Sequence, residues 1–300
     1  MISDRFGFFP CDWTINFNGG TVSPIPDIRK VRNRVEKYTN QDGFLYPPLS
    51  RRVQLEARTN KISRKIPGTQ RPSLLHRVPP SHELNLTAPI TQEQLRRGPG
   101  AFLIHLLAYL FGIRLQFHDW WFDSRVPIRM GQTHNTDVTQ TTAEDFLSHC
   151  YRAWQGWRSR EQRLITNVLF MHSRAPSYEW DWERFVVEYM VLDGCWRLAE
   201  LGHGIKGKSH SQRIRRLCQR FGIPYEKRRV SKIVSLRNDL FHETLWDGSQ
   251  PCTAVSAVAF LQPLNLRRLN QRLIPALLGY NNRYAQSVWW SRGTLSFDKL

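Results

Sequence analysis

The feature that most narrows the folds open to this chain is a change in backbone punctuation near residue 140. Before it, Pro24-Ile25-Pro26, Pro47-Pro48, Pro67-Gly68, Pro79-Pro80 and Gly98-Pro99-Gly100 follow one another closely. A proline inside a helix removes a hydrogen bond and clashes with the preceding turn, so long helices cannot run through this region. Short strands and loops are expected instead. Trp13, Ile15 and Phe17 alternate ahead of Gly19-Gly20, which predicts a first hairpin. One apolar stretch, 101–111, reads as a helix stopped by Gly112, with a strand through Arg114–Phe117 after it. His105, inside that stretch, reads as a satisfied core histidine.

After residue 140 the period becomes helical. Thr142 with Asp145 three residues on reads as a helix start, and Phe146, Leu147, Cys150, Tyr151, Trp154 and Trp157 follow at helical spacing. Further helices are expected over 160–171, 181–201, 209–221, 225–242 and 264–278, several of them closed by glycine: the second at Gly202 or Gly204, the third at Gly222 and the last at Gly279. The expected class is therefore α+β. Residues 1–139 form an irregular, Pro/Gly-rich, basic N-terminal region of unassigned role, and residues 140–300 an all-α helical bundle. Aromatic residues at helical spacing are core by default. Tyr178, Trp180 and Trp182 could stack on bases, but packing is the better reading.

Charge narrows the partners. The chain carries 43 Lys and Arg against 25 Asp and Glu, a net of +18. Such an excess attracts polyanions through counterion release, which makes nucleic acid the first partner to consider. Residues 205–232 hold ten basic residues and one acid: Lys206, Lys208, Arg213, Arg215, Arg216, Arg220, Lys227, Arg228, Arg229 and Lys232 against Glu226. They are the candidate RNA-binding residues, the plainer alternative being a solvated surface. A second basic zone covers 28–77. Neither joins its charge to a continuous apolar face, and no apolar run is long enough to span a bilayer, so no membrane partner is expected. The N-terminus lacks the build of a signal peptide, and five scattered cysteines without a Cys-x-x-Cys pair suit a reducing, cytoplasmic setting. No metal or cofactor is expected.

One motif carries chemistry. The helix over 225–242 ends in Leu236-Arg237-Asn238-Asp239-Leu240-Phe241-His242-Glu243. Arg-x4-His alone is weak: with 34 Arg and 10 His in 300 residues, chance gives about one, and four occur. Arg71/His76, Arg77/His82 and Arg129/His134 lie among prolines or glycine without helical period, whereas Arg237/His242 lies on an amphipathic helix. At 100° per residue Asn238 and His242 share a face, about 40° apart, with Arg237 at its border. A permanent cation that forks onto phosphate, an imidazole that passes protons and an orienting amide would share one surface. RNA brings its own nucleophile in the 2′-hydroxyl, so these groups are close to sufficient for cleavage. Alternatively Arg237 is a structural arginine paired to Asp193 or Glu200, and His242 a helix cap. His203 and His210 flank Gly204 and Gly207, most simply an ordinary helix link.

With these residues the chain resembles the HEPN (higher eukaryotes and prokaryotes nucleotide-binding) superfamily, whose signature is Arg, a polar residue, three variable positions and His. Arg184-Phe185, Leu198-Ala199-Glu200-Leu201, the Arg213–Leu217 segment, Phe221-Gly222-Ile223-Pro224 and Leu277-Leu278-Gly279-Tyr280 are similar in order to the Apea-like branch. The resemblance covers roughly residues 140–290. It implies a HEPN bundle that pairs with a second copy, placing two Arg–His motifs across a composite, metal-independent endoribonuclease site with a toxin-like or anti-phage defence role. His242 would act as general acid/base, Arg237 would hold the scissile phosphate, and Asn238 would position either. Asp239 lies outside the family's fixed pattern and receives no catalytic role. The alternative is a non-catalytic RNA-binding or partner-sensing module, with a regulatory partner reached through the N-terminal region.

Overall fold

The computed structural model describes residues 2–47, 52–56, 58–59, 61–66, 75–131, 133–134, 136–246, 257–290 and 295–299. The N-terminal region is built from short strands, as its punctuation requires: β1 (Ile2–Gly7), β2 (Ile15–Phe17), β3 (Gly20–Pro24), β4 (Phe44–Leu45), β5 (Arg52–Leu55), β6 (Ile62–Ile66), β7 (Leu75–His76), β8 (His82–Leu86), β9 (Gln116–Phe117), β10 (Phe122–Asp123), β11 (Val126–Pro127) and β12 (Thr136–Asp137). The hairpin expected at Gly19-Gly20 is present, pairing Ile15 with Val22 and Phe17 with Gly20. It joins a five-stranded antiparallel sheet in the order β2-β3-β8-β1-β9. In β8 His82, Leu84 and Leu86 are buried while Glu83 and Asn85 are half-buried, the period-two alternation of a sheet with one covered face.

Three helices interrupt these strands: α1 (Ile28–Lys37), α2 (Gln92–Arg97) and α3 (Pro99–Phe111). α1 and α2 lie where short strands and loops were expected. In α2, Thr91 accepts from the Gln94 amide while the Gln94 side chain accepts from the Thr91 amide, a reciprocal cap that stabilises this short helix. α3 is buried on every side from Gly100 to Phe111, the fate of a helix that is apolar all round. His105 lies in this core beside Phe170, but its Nδ1 finds no hydrogen-bond partner among the described residues, so it is buried without being fully satisfied.

The second half contains α4 (Gln140–Gln155), α5 (Ser159–Arg174), α6 (Asp181–His203), α7 (His210–Phe221), α8 (Lys227–Glu243), α9 (Ala257–Leu277) and a last strand β13 (Leu295–Ser296), which pairs with β12 in parallel. That pair is the departure from an all-α second half. The helix expected from Thr142 starts earlier: Thr139 is the cap and accepts from the Thr142 amide, while the Thr142 hydroxyl turns to Asp298. α9 begins upstream of Pro263, where the sequence suggested a boundary, and carries both Pro263 and Pro275 inside it. Gly204 and Gly222 close α6 and α7 in the left-handed conformation, where a side chain would be strained. Trp154, Trp196 and Trp289 are core residues, but Trp180 and Trp182 are exposed, contrary to the expected packing; they sit at the start of α6, outside its buried stripe.

The change in punctuation at residue 140 does not divide the core. One hydrophobic cluster holds Phe6, Ile15, Leu84 and Phe117 of the sheet, the length of α3, and the inner faces of α4 to α9. α3 packs on α5 and α4, and the Tyr109 hydroxyl donates to the Gln271 carbonyl of α9. Around α3, α6 packs on α5 and α9, and α7 packs on α8 and α9.

Candidate functional site

Among the described residues of the four Arg-x4-His pairs, only Arg237/His242 lies on a helix. His82 and His134 are buried in the core, His76 is on a strand, and Arg71 lies outside the described residues. Helix α8 buries Val230, Ile233 and Leu236, which turns Arg228, Ser231, Ser235, Asn238 and His242 outward on one exposed face about 21 Å long. Arg237 is half-buried at the edge of that face. Its Nη1 donates to the Asn238 Oδ1 at 3.2 Å and to the His242 Nε2 at 2.9 Å. An arginine only donates, so Nε2 is the acceptor and the ring carries its proton on Nδ1. The Arg237 guanidinium also lies 5.0 Å from the Phe241 ring and 6.0 Å from that of Tyr189. Thr244 stops α8 one residue after Glu243 with a left-handed φ of 59°, fixing His242 in the last turn.

The structural pairing of Arg237 with Asp193 or Glu200 is not formed: Glu200 pairs with Arg197, and Asp193 interacts with Arg237 only through the field. Asp239 approaches Ser235 rather than His242.

Neighbouring helices add residues that no spacing in the sequence announced. The start of α7 meets the end of α8. There the Tyr189 hydroxyl lies 2.9 Å from the Nδ1 of His210, the first residue of α7 after its cap Ser209. Partial burial and the Arg237 guanidinium hold the His210 imidazole below its ordinary range, so it is neutral and accepts from Tyr189. Burial, with Asp193 adding to it, pushes the Tyr189 hydroxyl up, which keeps it a donor. His210, read as part of an ordinary link, thus belongs to the surroundings of the motif. His203 does not: it is the last residue of α6, packs on Phe221 and takes a hydrogen bond from Arg220.

Seven of the ten candidate RNA-binding residues, Lys206, Lys208, Arg216, Arg220, Lys227, Arg228 and Lys232, are exposed. Arg213, Arg215 and Arg229 are half-buried. Arg213 donates to the Gly207 carbonyl and lies over Trp196, and Arg215 donates to the Ser211 carbonyl. Among the described residues Arg229 alone of the ten forms an ion pair, with Glu226 at 2.8 Å. The rest keep their charge available to an external anion. The second basic zone places Arg29, Lys30, Arg34 and Lys37 on the exposed surface of α1, and part of it lies outside the described residues.

Among the described residues, no three His, Cys, Asp or Glu side chains converge as a metal site would require, and no helix is long and apolar enough to cross a membrane. Comparison with protein families, with curated proteins and with solved structures gives no match to this chain.

Proposed function

We propose that this chain is a HEPN-type endoribonuclease that cleaves RNA by 2′-hydroxyl attack, without a metal, as a homodimer in the cytoplasm. The observation that carries the reading is the exposed contact between Arg237 and His242, with Asn238 on the same face and unneutralised cations beside it. The toxin-like or antiviral role follows from the resemblance of the motif alone.

The chemistry needs little rearrangement. An incoming phosphate offers Arg237 a charged acceptor in place of the neutral imidazole, and its planar fork turns to two phosphate oxygens. This frees the lone pair of the His242 Nε2, which takes the proton of the 2′-hydroxyl. The 2′-oxygen bonds to phosphorus while the bond to the 5′-oxygen breaks, and Arg237 meets the negative charge that builds on the phosphorane. The leaving 5′-oxygen needs a proton, which the His242 of a second copy of the chain, in its protonated imidazolium form, supplies. The products are a 2′,3′-cyclic phosphate and a 5′-hydroxyl.

Purified protein is expected to cleave single-stranded RNA in EDTA and leave 2′,3′-cyclic phosphate ends. Loss of one general acid/base costs about 10²- to 10⁴-fold, so His242→Ala should fall at least a hundredfold. Undiminished cleavage by both Arg237→Ala and His242→Ala removes the motif from the mechanism. Salt-dependent RNA binding without turnover, equal in His242→Ala, makes the chain a non-catalytic binding module.

A further inference from the structure

Helix α6 presents Tyr189 to the motif and the preceding Glu188 to a different site. There α6 and α9 meet the N-terminal region around a cavity of about 390 Å³. Small-molecule sites commonly enclose ~300–1,000 Å³. Five arginines stand in its wall, Arg125, Arg184, Arg267, Arg268 and Arg272, against three carboxylates, Asp42, Asp181 and Glu188.

All three carboxylates are already engaged, Asp42 with the Asn40 amide at 3.5 Å. Asp181 pairs with Arg184. Glu188, 1% exposed, accepts from Arg267 at 2.6 Å and from the Asn270 amide, and its other oxygen contact is with His172. Burial opposes its charge, yet the Arg267 guanidinium and the hydrogen bonds from His172 and Asn270 hold its carboxyl below the usual range.

Arg272 is in a different position. It is 3% exposed, and among the described residues every acceptor around it is neutral: the carbonyls of Arg268, Ser287 and Val288 and the hydroxyls of Ser287 and Tyr284. Among the described residues Arg125 likewise meets only the Tyr178 carbonyl, the Tyr46 hydroxyl and the face of Phe44, and its buried Nε has no partner. A guanidinium withdrawn from water without a counter-ion is costly, and the empty volume beside the buried Arg272, with the half-buried Arg125 in the same wall, is where that counter-ion fits. The wall also contains Phe44, Pro176, Pro263 and Leu264, so the anion's body is apolar or planar rather than sugar-like throughout.

We propose that this cavity binds a nucleotide-sized organic phosphate, its dianionic head answering Arg125 and Arg272 and its planar body lying on the apolar wall. Arginine forks suit phosphate oxygens in geometry as well as charge. The site is separate from the Arg237–His242 face and does not depend on that face being catalytic.

The test is calorimetric titration of the full chain with AMP, CMP, GMP and UMP, and with adenosine and inorganic phosphate as controls. At least one nucleotide is expected to bind below about 1 mM, at least tenfold more tightly than adenosine or phosphate. Arg125→Gln, at a half-buried position, should weaken it by tenfold or more, and Leu264→Trp should fill the volume and abolish binding. Thermal melts without ligand show whether each variant remains folded. No binding by any of the four nucleotides, equal binding of adenosine and its nucleotide, or nucleotide binding unchanged in both folded variants overturns the proposal.

Discussion

Acid should unfold this protein well before its carboxylates titrate, because histidines are locked in its core in the neutral form. Burial pushes His82 down to about 4, and burial, with Arg114 adding to it, pushes His105 down to about 3. His134 and His172 are held low in the same way, by burial first. An unfolded chain takes up protons on these rings near pH 6.5, while the folded chain refuses them. Stability is therefore complete above pH 6.5 and falls as pH drops, by about 1.4 kcal/mol per pH unit for each such histidine. At pH 5, His82 and His105 alone have removed about 2 kcal/mol each, roughly 4 kcal/mol from a total that is typically ~5–15 kcal/mol. Asp119, Asp123 and Glu188 have lowered carboxyl values, so their stabilisation is lost only at more acidic pH, and the window from pH 6.5 to 5 belongs to the histidines. Urea unfolding followed by tryptophan fluorescence at pH 8, 6.5 and 5 measures the loss. His105→Leu keeps the apolar packing against Phe170 and removes the titrating ring, so it should lose about 2 kcal/mol less than wild type over the same range. An identical loss in His105→Leu, or stability that is flat between pH 8 and 5, would refute the reasoning.

Three smaller tests address particular places in the fold. Gly194 lets α6 approach α5: a Cβ there would lie 2.5 Å from Cγ2 of the stiff Val168 side chain, so Gly194→Ala should cost ~1–3 kcal/mol in chemical denaturation, partly restored by Val168→Ala. Thr244 is a β-branched residue held at positive φ, and Thr244→Gly should stabilise the protein by about 1 kcal/mol in the same assay, with RNA cleavage preserved. If the basic surface holds RNA, replacing Arg216 and Arg220 with Gln should lower the slope of log affinity against log salt by about one for each phosphate that is no longer neutralised.

The helices of the second half were legible because most carry apolar residues at helical spacing, and α4, α6 and α7 end at Gly156, Gly204 and Gly222. Observed α7 and α8 begin within two residues of the expected positions and end within one. The motif was legible for the same reason: once α8 is a helix that buries Val230, Ile233 and Leu236, the outward position of Asn238 and His242 follows from 3.6 residues per turn. The helix over 101–111 was also foreseen, but not that it would stand at the centre of the whole molecule. A segment apolar on every side carries no stripe to say what it packs against. Trp180 and Trp182 erred the other way, since an aromatic near a helix start is inside or outside according to which neighbour arrives.

What the sequence determined alone is local: where backbone can and cannot be helical, which side chains share a face of one helix, and where the charge accumulates. Tertiary structure alone decided that Tyr189 and His210 stand beside the motif, and that arginines from Arg125 to Arg272 converge on one cavity with too few carboxylates. The reason is that spacing along the chain encodes neighbours only within a single element, through its fixed rise and turn. Neighbours between elements depend on how buried faces pair, and many sequences with the same local pattern pair them differently.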